Sequence, residues 1–298
     1  MFSSHRHQQA KLLRCLRRLD FIRSPIDIER ITGGITNHNF VVRSGGQAYV
    51  ARLCEERPLL GIDRRNEIVC QQAASAWGLA PEVVHHEPGL LVSRFVAGRT
   101  LEPADVRQPP LIARLAATLQ RLHQSWEAMT GEVLYFCPFQ TVRTYARSAV
   151  RLGAERPVEI DDMVEDARFL SRRIAPFRPV LCHNDLLPAN MIDDGQRLWL
   201  VDWEYAGIGH PLFDLANLSA NAALDDDQER DLLTAYRGEL DTRDLAELRV
   251  FKAISLLREA LWATIQTVAS DIDFDYRRYA AEHFQAYRES QARLETKP

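Results

Sequence analysis

The chain has 298 residues, 46% of them hydrophobic and 26% charged, with a formal net charge of −4. That balance excludes disorder and fibrous architecture. It supplies no global attraction to a polyanion, so no nucleic-acid partner is expected and a small molecule is favoured.

The N-terminal segment, MFSSHRHQQAKLLRCLRRLDF, is studded with Arg, His and Gln; it reads as a basic amphipathic helix packed on the body by a short apolar side, with no signal-peptide core. Residues 26–32 alternate as a strand and lead into Gly33-Gly34. Two further strands, 40–43 and 49–53, flank a Ser-Gly-Gly turn at 44–46. Residues 64–77 form a helix with Ile68, Ala73 and Trp77 as its apolar side and Gly78 as its stop. Short strands follow at 83–84 and 90–96. The Pro- and Gly-bearing stretch 97–110 marks a lobe boundary, giving lobes of residues 1–96 and 97–298. Beyond it the period becomes helical, with Leu111, Leu115, Leu119 and Leu122 on one stripe and Ile254, Leu257, Leu261 and Ile265 on another. Between Val180 and Asp202 an apolar strand, a loop, an Asp193-Asp194-Gly195 turn and a second strand (LWLV) form a hairpin-like island. Strands first, helices later and one embedded β island predict an α+β chain in two lobes. No apolar run approaches the roughly 18 residues of a membrane span, so no stable membrane insertion is expected. Cys15, Cys54, Cys70, Cys137 and Cys182 are odd in number and never C-x-x-C, which speaks for a reducing cytoplasm and against disulfides or zinc. Nothing in the pattern indicates an oligomeric state.

The island carries the chemistry. His183-Asn184-Asp185-Leu186-Leu187-Pro188-Ala189-Asn190 is followed, twelve positions after Asn190, by Asp202-Trp203-Glu204. An acid, an amide five positions on and a second acid at the end of a strand match the spacing of a kinase catalytic loop and its metal-binding aspartate. Phosphoryl transfer needs one carboxylate to orient a hydroxyl and accept its proton, and hard oxygens, such as Asp and Asn supply, to hold Mg²⁺ on the phosphates. Such residues also make ordinary turns, and the upstream partners decide between the readings. Gly33-Gly34-Ile35-Thr36-Asn37 lies between strands where a phosphate-covering loop belongs, Arg52 is on the third strand, and Glu67 is on the helix that follows. His85, His86, His123 and His210 show no metal-ligand spacing with cysteine or with one another.

On GGITN at 33–37, HNDLLPAN at 183–190, DWEYAG at 202–207 with Phe213-Asp214, and LWATIQ with DFDYRRYA near the C-terminus, the chain resembles the choline/ethanolamine kinase family. That family lies within the wider aminoglycoside-phosphotransferase and protein-kinase-like superfamily. The resemblance runs roughly over residues 26–290 and implies a two-lobed, protein-kinase-like fold with a β-rich N-lobe and a mainly helical C-lobe. It implies ATP and Mg²⁺ as cofactors, Asp185 as the catalytic base, His183 as a loop-orienting residue, Asn190 and Asp202 as metal ligands, and Asp214 as a structural tie beneath the loop. His183 reads equally well as a satisfied core histidine. The nucleotide site implied is Gly33, Gly34, Thr36, Asn37, Arg52, Glu67, Phe95 and Val96. Three features depart from protein kinases: the loop is not G-x-G-x-x-G, Arg52 replaces lysine, and Trp203-Glu204 follows the metal aspartate. Arginine keeps the charge and offers a fork to phosphate oxygens.

For the acceptor, Asp214, Asn217 and Asn221 fall on one side of the helix after Pro211, and Asn221 is a candidate pocket residue. Glu204, Glu259, Trp262, Phe274, Tyr276 and Tyr279 complete the candidate set, the aromatics interleaved with Asp271, Asp273 and Asp275. Ring faces plus negative charge bind an ammonium at about 0.5–2 kcal/mol per contact, although aromatics at this spacing also serve as core. Glu259 stands where eukaryotic choline kinases have a tryptophan. The reading is an ATP-dependent kinase of a small cationic amino alcohol, choline or ethanolamine first. Thiamine kinase and aminoglycoside phosphotransferase are alternatives within the class, and an inactive nucleotide-binding regulator is one outside it.

Overall fold

The computed structural model describes residues 2–31, 37–54 and 56–296. Helix α1 (Phe2–Leu16) lays Leu12 and Leu16 into a small core formed with Phe40, Val42, Tyr49, Ala51 and Val92 of the sheet beside it. The apolar side of the basic N-terminal segment thus serves packing. The sheet has strands β1 (Ile26–Arg30), β2 (His38–Ser44), β3 (Gln47–Leu53), β4 (Val83–Glu87) and β5 (Leu90–Arg94), antiparallel in the order β1-β2-β3-β5-β4. Its β2–β3 hairpin turns through Gly45 and Gly46, both at positive φ, which sets the register that pairs Asn39 with Arg52.

Helix α2 (Arg64–Ala76) is capped by Asp63, whose carboxylate accepts from the Asn66 amide, and ends at Gly78 in the left-handed region. Its inward face differs from the expected one. Glu67, Cys70, Gln71 and Ala74 are buried, whereas Ile68, Ala73 and Trp77 are half-buried. The helix borders the junction with the second half of the chain, where polar side chains find charged partners, so its largest apolar groups do not select the face.

After β6 (Arg99–Thr100) the chain is mainly helical: α3 (Pro103–Val106), α4 (Pro109–Ser125), α5 (Pro138–Arg151), α6 (Ile160–Leu170), α7 (Pro211–Ala222), α8 (Asp226–Arg237), α9 (Thr242–Ala269) and α10 (Tyr276–Thr296). These pack around one core that includes Leu115, Leu119, Leu122, Phe213, Phe251, Leu257 and Leu261. The 28-residue α9 is buried on every side between Ala253 and Gln266, more than the single expected stripe. The island is also wired differently. Strand β7 (Val180–Cys182) pairs with β10 (Gly207–Gly209), while the hairpin through Asp193-Asp194-Gly195 joins β8 (Met191–Asp193) to β9 (Leu198–Leu200), with β6 on its outer edge. The missed partner, GIG at 207–209, is too short and glycine-rich for an alternation pattern to reveal. The expected α+β class, with a β-sheet first lobe and a helical second, is the one observed. All five cysteines are free thiols, and among the described residues no helix is long and apolar enough to cross a membrane.

Candidate active site

The loop after β7 is held from beneath by α7. Asp214 is fully buried in the first turn of that helix and accepts the backbone N–H of His183 at 2.9 Å and of Asn184 at 2.7 Å. His123 Nε2 lies 3.0 Å from the same carboxylate, and the Tyr236 hydroxyl meets His123 Nδ1 at 2.7 Å. One turn on, Asn217 accepts from the Leu186 amide and donates to Ser255. Asn184 is left-handed, φ 63°, a conformation Asn tolerates better than most residues. With this anchoring Asp185 is placed against Asn190, whose amide donates to the Asp185 carbonyl at 2.9 Å and carboxylate at 3.2 Å. Burial, with the charges of Glu259, Asp202 and Glu204, pushes the Asp185 carboxyl well above the usual range, and Arg258 opposes them.

His183 is fully buried, with Nε2 bonded to the Val201 carbonyl at 3.0 Å and its ring against Trp203. Burial first of all lowers its pKa, so it is a neutral core spacer between the 183–190 and 201–204 segments, satisfied at Nε2 but with no hydrogen-bond partner at Nδ1 among the described residues. His123, Cys182 and Asp214 do come together in the buried interior, a grouping invisible in their spacing. Asp214 is already engaged by backbone amides, and burial raises the Cys182 thiol pKa first of all, which disfavours the thiolate a metal would need.

Asp202, also left-handed at φ 66°, meets the sheet. Arg52 donates a hydrogen bond to Asp202 at 2.8 Å and forms an ion pair with Glu67 at 2.8 Å. Arg64, not singled out from the sequence, bonds Glu67 at 2.7 Å, Glu204 at 2.9 Å and Asn37 at 3.1 Å, and Asn37 donates to Glu204 at 2.8 Å. Glu204 therefore sits in the inter-lobe charge network with the nucleotide-site candidates and not among the aromatic side chains where it was expected. Burial, and next the Asp202 charge, push its pKa up to about 7 against the pull of Arg64 and Arg52. Arg64 was signalled only by its i,i+3 spacing to Glu67. Gly33, Gly34 and Thr36 lie outside the described residues. Phe95 is exposed and Val96 half-buried; they border a cleft of about 450 Å³ with Glu82, Arg197 and Trp199, which neither Arg52 nor Asp202 lines.

On the other side of Asp185, buried Arg258 donates to its carboxylate at 2.9 Å and to Glu259 from Nε at 3.1 Å. Beyond Glu259 stand four rings. Trp262 lies 5.9 Å from Tyr276 and 6.2 Å from Tyr279, and Phe274 lies 5.0 Å and 5.7 Å from the same two. Burial and then the negative charges of Glu259 and Asp185 raise the Tyr279 pKa, which ties this cluster to the loop. Asn221 does not join it: α7 presents Asp214 and Asn217 to the loop, but no hydrogen bond links half-buried Asn221 to loop or rings among the described residues, and its amide nitrogen is unpartnered. At four positions from Asn217, the nearer loop contact, it is about one turn, roughly 6 Å, further along the helix.

The family model for choline/ethanolamine kinase matches residues 28–237. Human ethanolamine kinase 2 is 28% identical over 289 residues, covering 87% of this chain and 74% of that protein. A choline/ethanolamine kinase family protein from Mesorhizobium loti superposes with a TM-score of 0.78 at 28% identity, covering 95% of this chain and 94% of that one. The choline kinase LicA from Streptococcus pneumoniae has a TM-score of 0.80 at 21% identity, covering 96% and 99%, a likeness of fold.

Proposed function

The chain belongs to the choline/ethanolamine kinase family, phosphotransferases with an alcohol group as acceptor, and we propose that it transfers the γ-phosphoryl group of ATP to the hydroxyl of a small cationic amino alcohol, choline or ethanolamine. The observation that carries this reading is the position of Asp185: Asn190 beside it, Asp202 on the neighbouring segment, and on its far side Arg258, Glu259 and four aromatic rings.

The nucleotide phosphates belong with Arg52, whose partner Glu67 keeps it in place. Asn190 uses its NH₂ on Asp185, which turns its carbonyl oxygen into a candidate metal ligand, and Asp202 adds carboxylate oxygen. This hard-oxygen set fits Mg²⁺, which when bound neutralises charge on the transferring phosphates. Asp185 Oδ2 has only the longer bond to Asn190 and can accept the acceptor O–H. The hydroxyl oxygen bonds to the γ-phosphorus, the bond to the β–γ bridging oxygen breaks, ADP leaves, and the hydroxyl proton goes to Asp185. A loose transition state asks little proton abstraction early, so orientation is the larger contribution of this carboxylate.

The acceptor cation is placed by charge and ring faces. Asp185 and Glu259 flank Arg258 beside the cluster, a small acidic setting suited to one compact ammonium more than to the several of an aminoglycoside. The division of labour follows the lobes, residues 1–96 serving the nucleotide and 97–298 the loop and acceptor. The test is ATP consumption and product formation over choline, ethanolamine, thiamine and a panel of aminoglycosides. Turnover with choline or ethanolamine is expected, and silence across the panel with intact ATP binding would replace this reading by an inactive regulator.

A further inference from the structure

We infer that Arg258 is a positioning residue for phosphoryl transfer: it sets the carboxylate of Asp185 by gripping the loop at both its backbone and its side chain. The inference rests on the kinase reading above and adds to it a residue that no motif of the loop contains.

A guanidinium merely balancing a buried charge needs the carboxylate alone. Arg258 makes more than that. Its Nη1 donates to the carbonyl of Asn184 at 2.6 Å, its Nη2 to Asp185 Oδ1 at 2.9 Å, and its Nε and Nη2 to Glu259 Oε1. Asn184 is the left-handed residue that turns the chain into Asp185. Its N–H is taken by Asp214 at 2.7 Å and its carbonyl by Arg258, so residue 184 is clamped from α7 on one side and from α9 on the other. The guanidinium is itself fixed. It is 2% exposed, with its carbon 5.1 Å from the centre of the Tyr205 ring and 5.8 Å from that of Phe136. Planar, pre-organised donors in three directions are what arginine offers and lysine does not.

The consequence is a division between the two Asp185 oxygens. Oδ1 is committed to Arg258, while Oδ2 faces Asn190 at 3.2 Å. With Oδ1 anchored, rotation of the carboxylate is blocked and Oδ2 is left to meet the acceptor hydroxyl. Because Glu259 is bonded to the same guanidinium, the acceptor's cation site and its hydroxyl site are referenced to one rigid group.

The experiment is a double-mutant cycle on phosphoryl transfer to the preferred amino alcohol, with ATP affinity and thermal midpoint measured on each variant. Arg258→Gln should lower kcat by about 10²-fold, the cost of a misplaced reacting group, with ATP affinity little changed, and Arg258→Lys should recover part of the loss. In an Asp185→Asn background, Arg258→Gln should lower kcat no further, because residues acting as a unit are not additive. Arg258→Gln combined with Glu259→Gln removes one buried charge of each sign and guards against simple unfolding; its midpoint should return toward wild type while its kcat stays low. Costs that multiply in the Asp185→Asn background, or a charge-balanced double variant with wild-type kcat, would overturn the inference and leave the kinase reading standing. A wild-type protein that transfers phosphate to no acceptor would overturn both.

Discussion

Arg52 and Asp202, 150 residues apart in sequence, are joined at 2.8 Å, and the same guanidinium reaches Glu67 with its other nitrogen at 2.8 Å. The strand residue of one lobe is thereby bound to the candidate metal ligand of the other through a fork.

The fork expected to meet phosphate oxygens is directed at Asp202 and Glu67, so the geometry at position 52 demands more than a charge. A lysine at 52 presents a point charge and cannot keep both bonds in the same plane. Arg52→Lys should therefore weaken ATP binding to an intermediate degree, losing about one charge-assisted hydrogen bond of roughly 1.5–3 kcal/mol. Arg52→Met, which leaves Glu67 to Arg64 alone and removes the cation from Asp202, should abolish detectable ATP binding in titration calorimetry. Wild-type affinity in the Met variant would remove this residue from the nucleotide site.

Asp185→Asn should bind ATP as the wild type does and lose phosphoryl transfer by about 10²–10⁴-fold, the usual worth of a positioned proton acceptor. The amide keeps an Oδ1 acceptor for Arg258 but turns its NH₂ toward the NH₂ of Asn190, which loses the 3.2 Å bond and keeps the one to the residue-185 carbonyl, so the thermal midpoint is needed to separate lost chemistry from lost structure. Turnover close to wild type with the preferred acceptor would show that the loop is not the reacting one.

The grouping of the candidate loop residues was legible because its information is local. Asp185, Asn190 and Asp202 lie within one short island, and their order specifies the chemistry. Arg258 was missed because its bond to Asp185 spans 73 positions, yet a trace existed: Arg-Glu inside the run ISLLREALWATI, where adjacent opposite charges interrupt a helix otherwise fit for full burial. Glu204 was misplaced for a related reason. It was read as an acceptor-pocket residue, but its side chain is taken by Arg64 from a helix 140 positions earlier. Periodicity ranks positions by hydrophobicity, and at the lobe junction burial follows charge pairing instead, as the inward face of α2 shows.

The four rings do not make equal probes of the acceptor. Trp262 is 5% exposed and belongs to the main core, whereas Phe274 is 38% exposed. Trp262→Ala should cost about 3–5 kcal/mol of stability, so its effect on the acceptor is confounded. Phe274→Ala and Tyr279→Leu should raise the acceptor KM by the equivalent of about 0.5–2 kcal/mol with ATP affinity unchanged. Glu259→Gln should impair ethanolamine more than choline, because only a primary ammonium can donate to the carboxylate. An equal loss of ATP and acceptor binding across these variants would make the cluster packing alone.

A last prediction concerns stability against pH. His210 caps α7 by accepting the Leu212 N–H on Nδ1, is 5% exposed, and has its pKa lowered to about 4, by burial first and then by the positive charge of Arg237. Glu247 lies 3.7 Å from Nε2 and pulls the other way, but burial dominates. Between pH 6.5 and about 4 the unfolded chain binds a proton at this position that the folded chain does not, so stability rises with pH across that window. The stabilisation is complete above pH 6.5, falls as the pH drops toward 4 and changes no further below it. The whole effect is at most about 3 kcal/mol. His210→Asn retains a capping acceptor without the titration. Urea unfolding at pH 7.0, 5.5 and 4.5 should show the wild type losing more stability than the variant as the pH falls, and parallel losses in the two proteins would exclude His210 as the source.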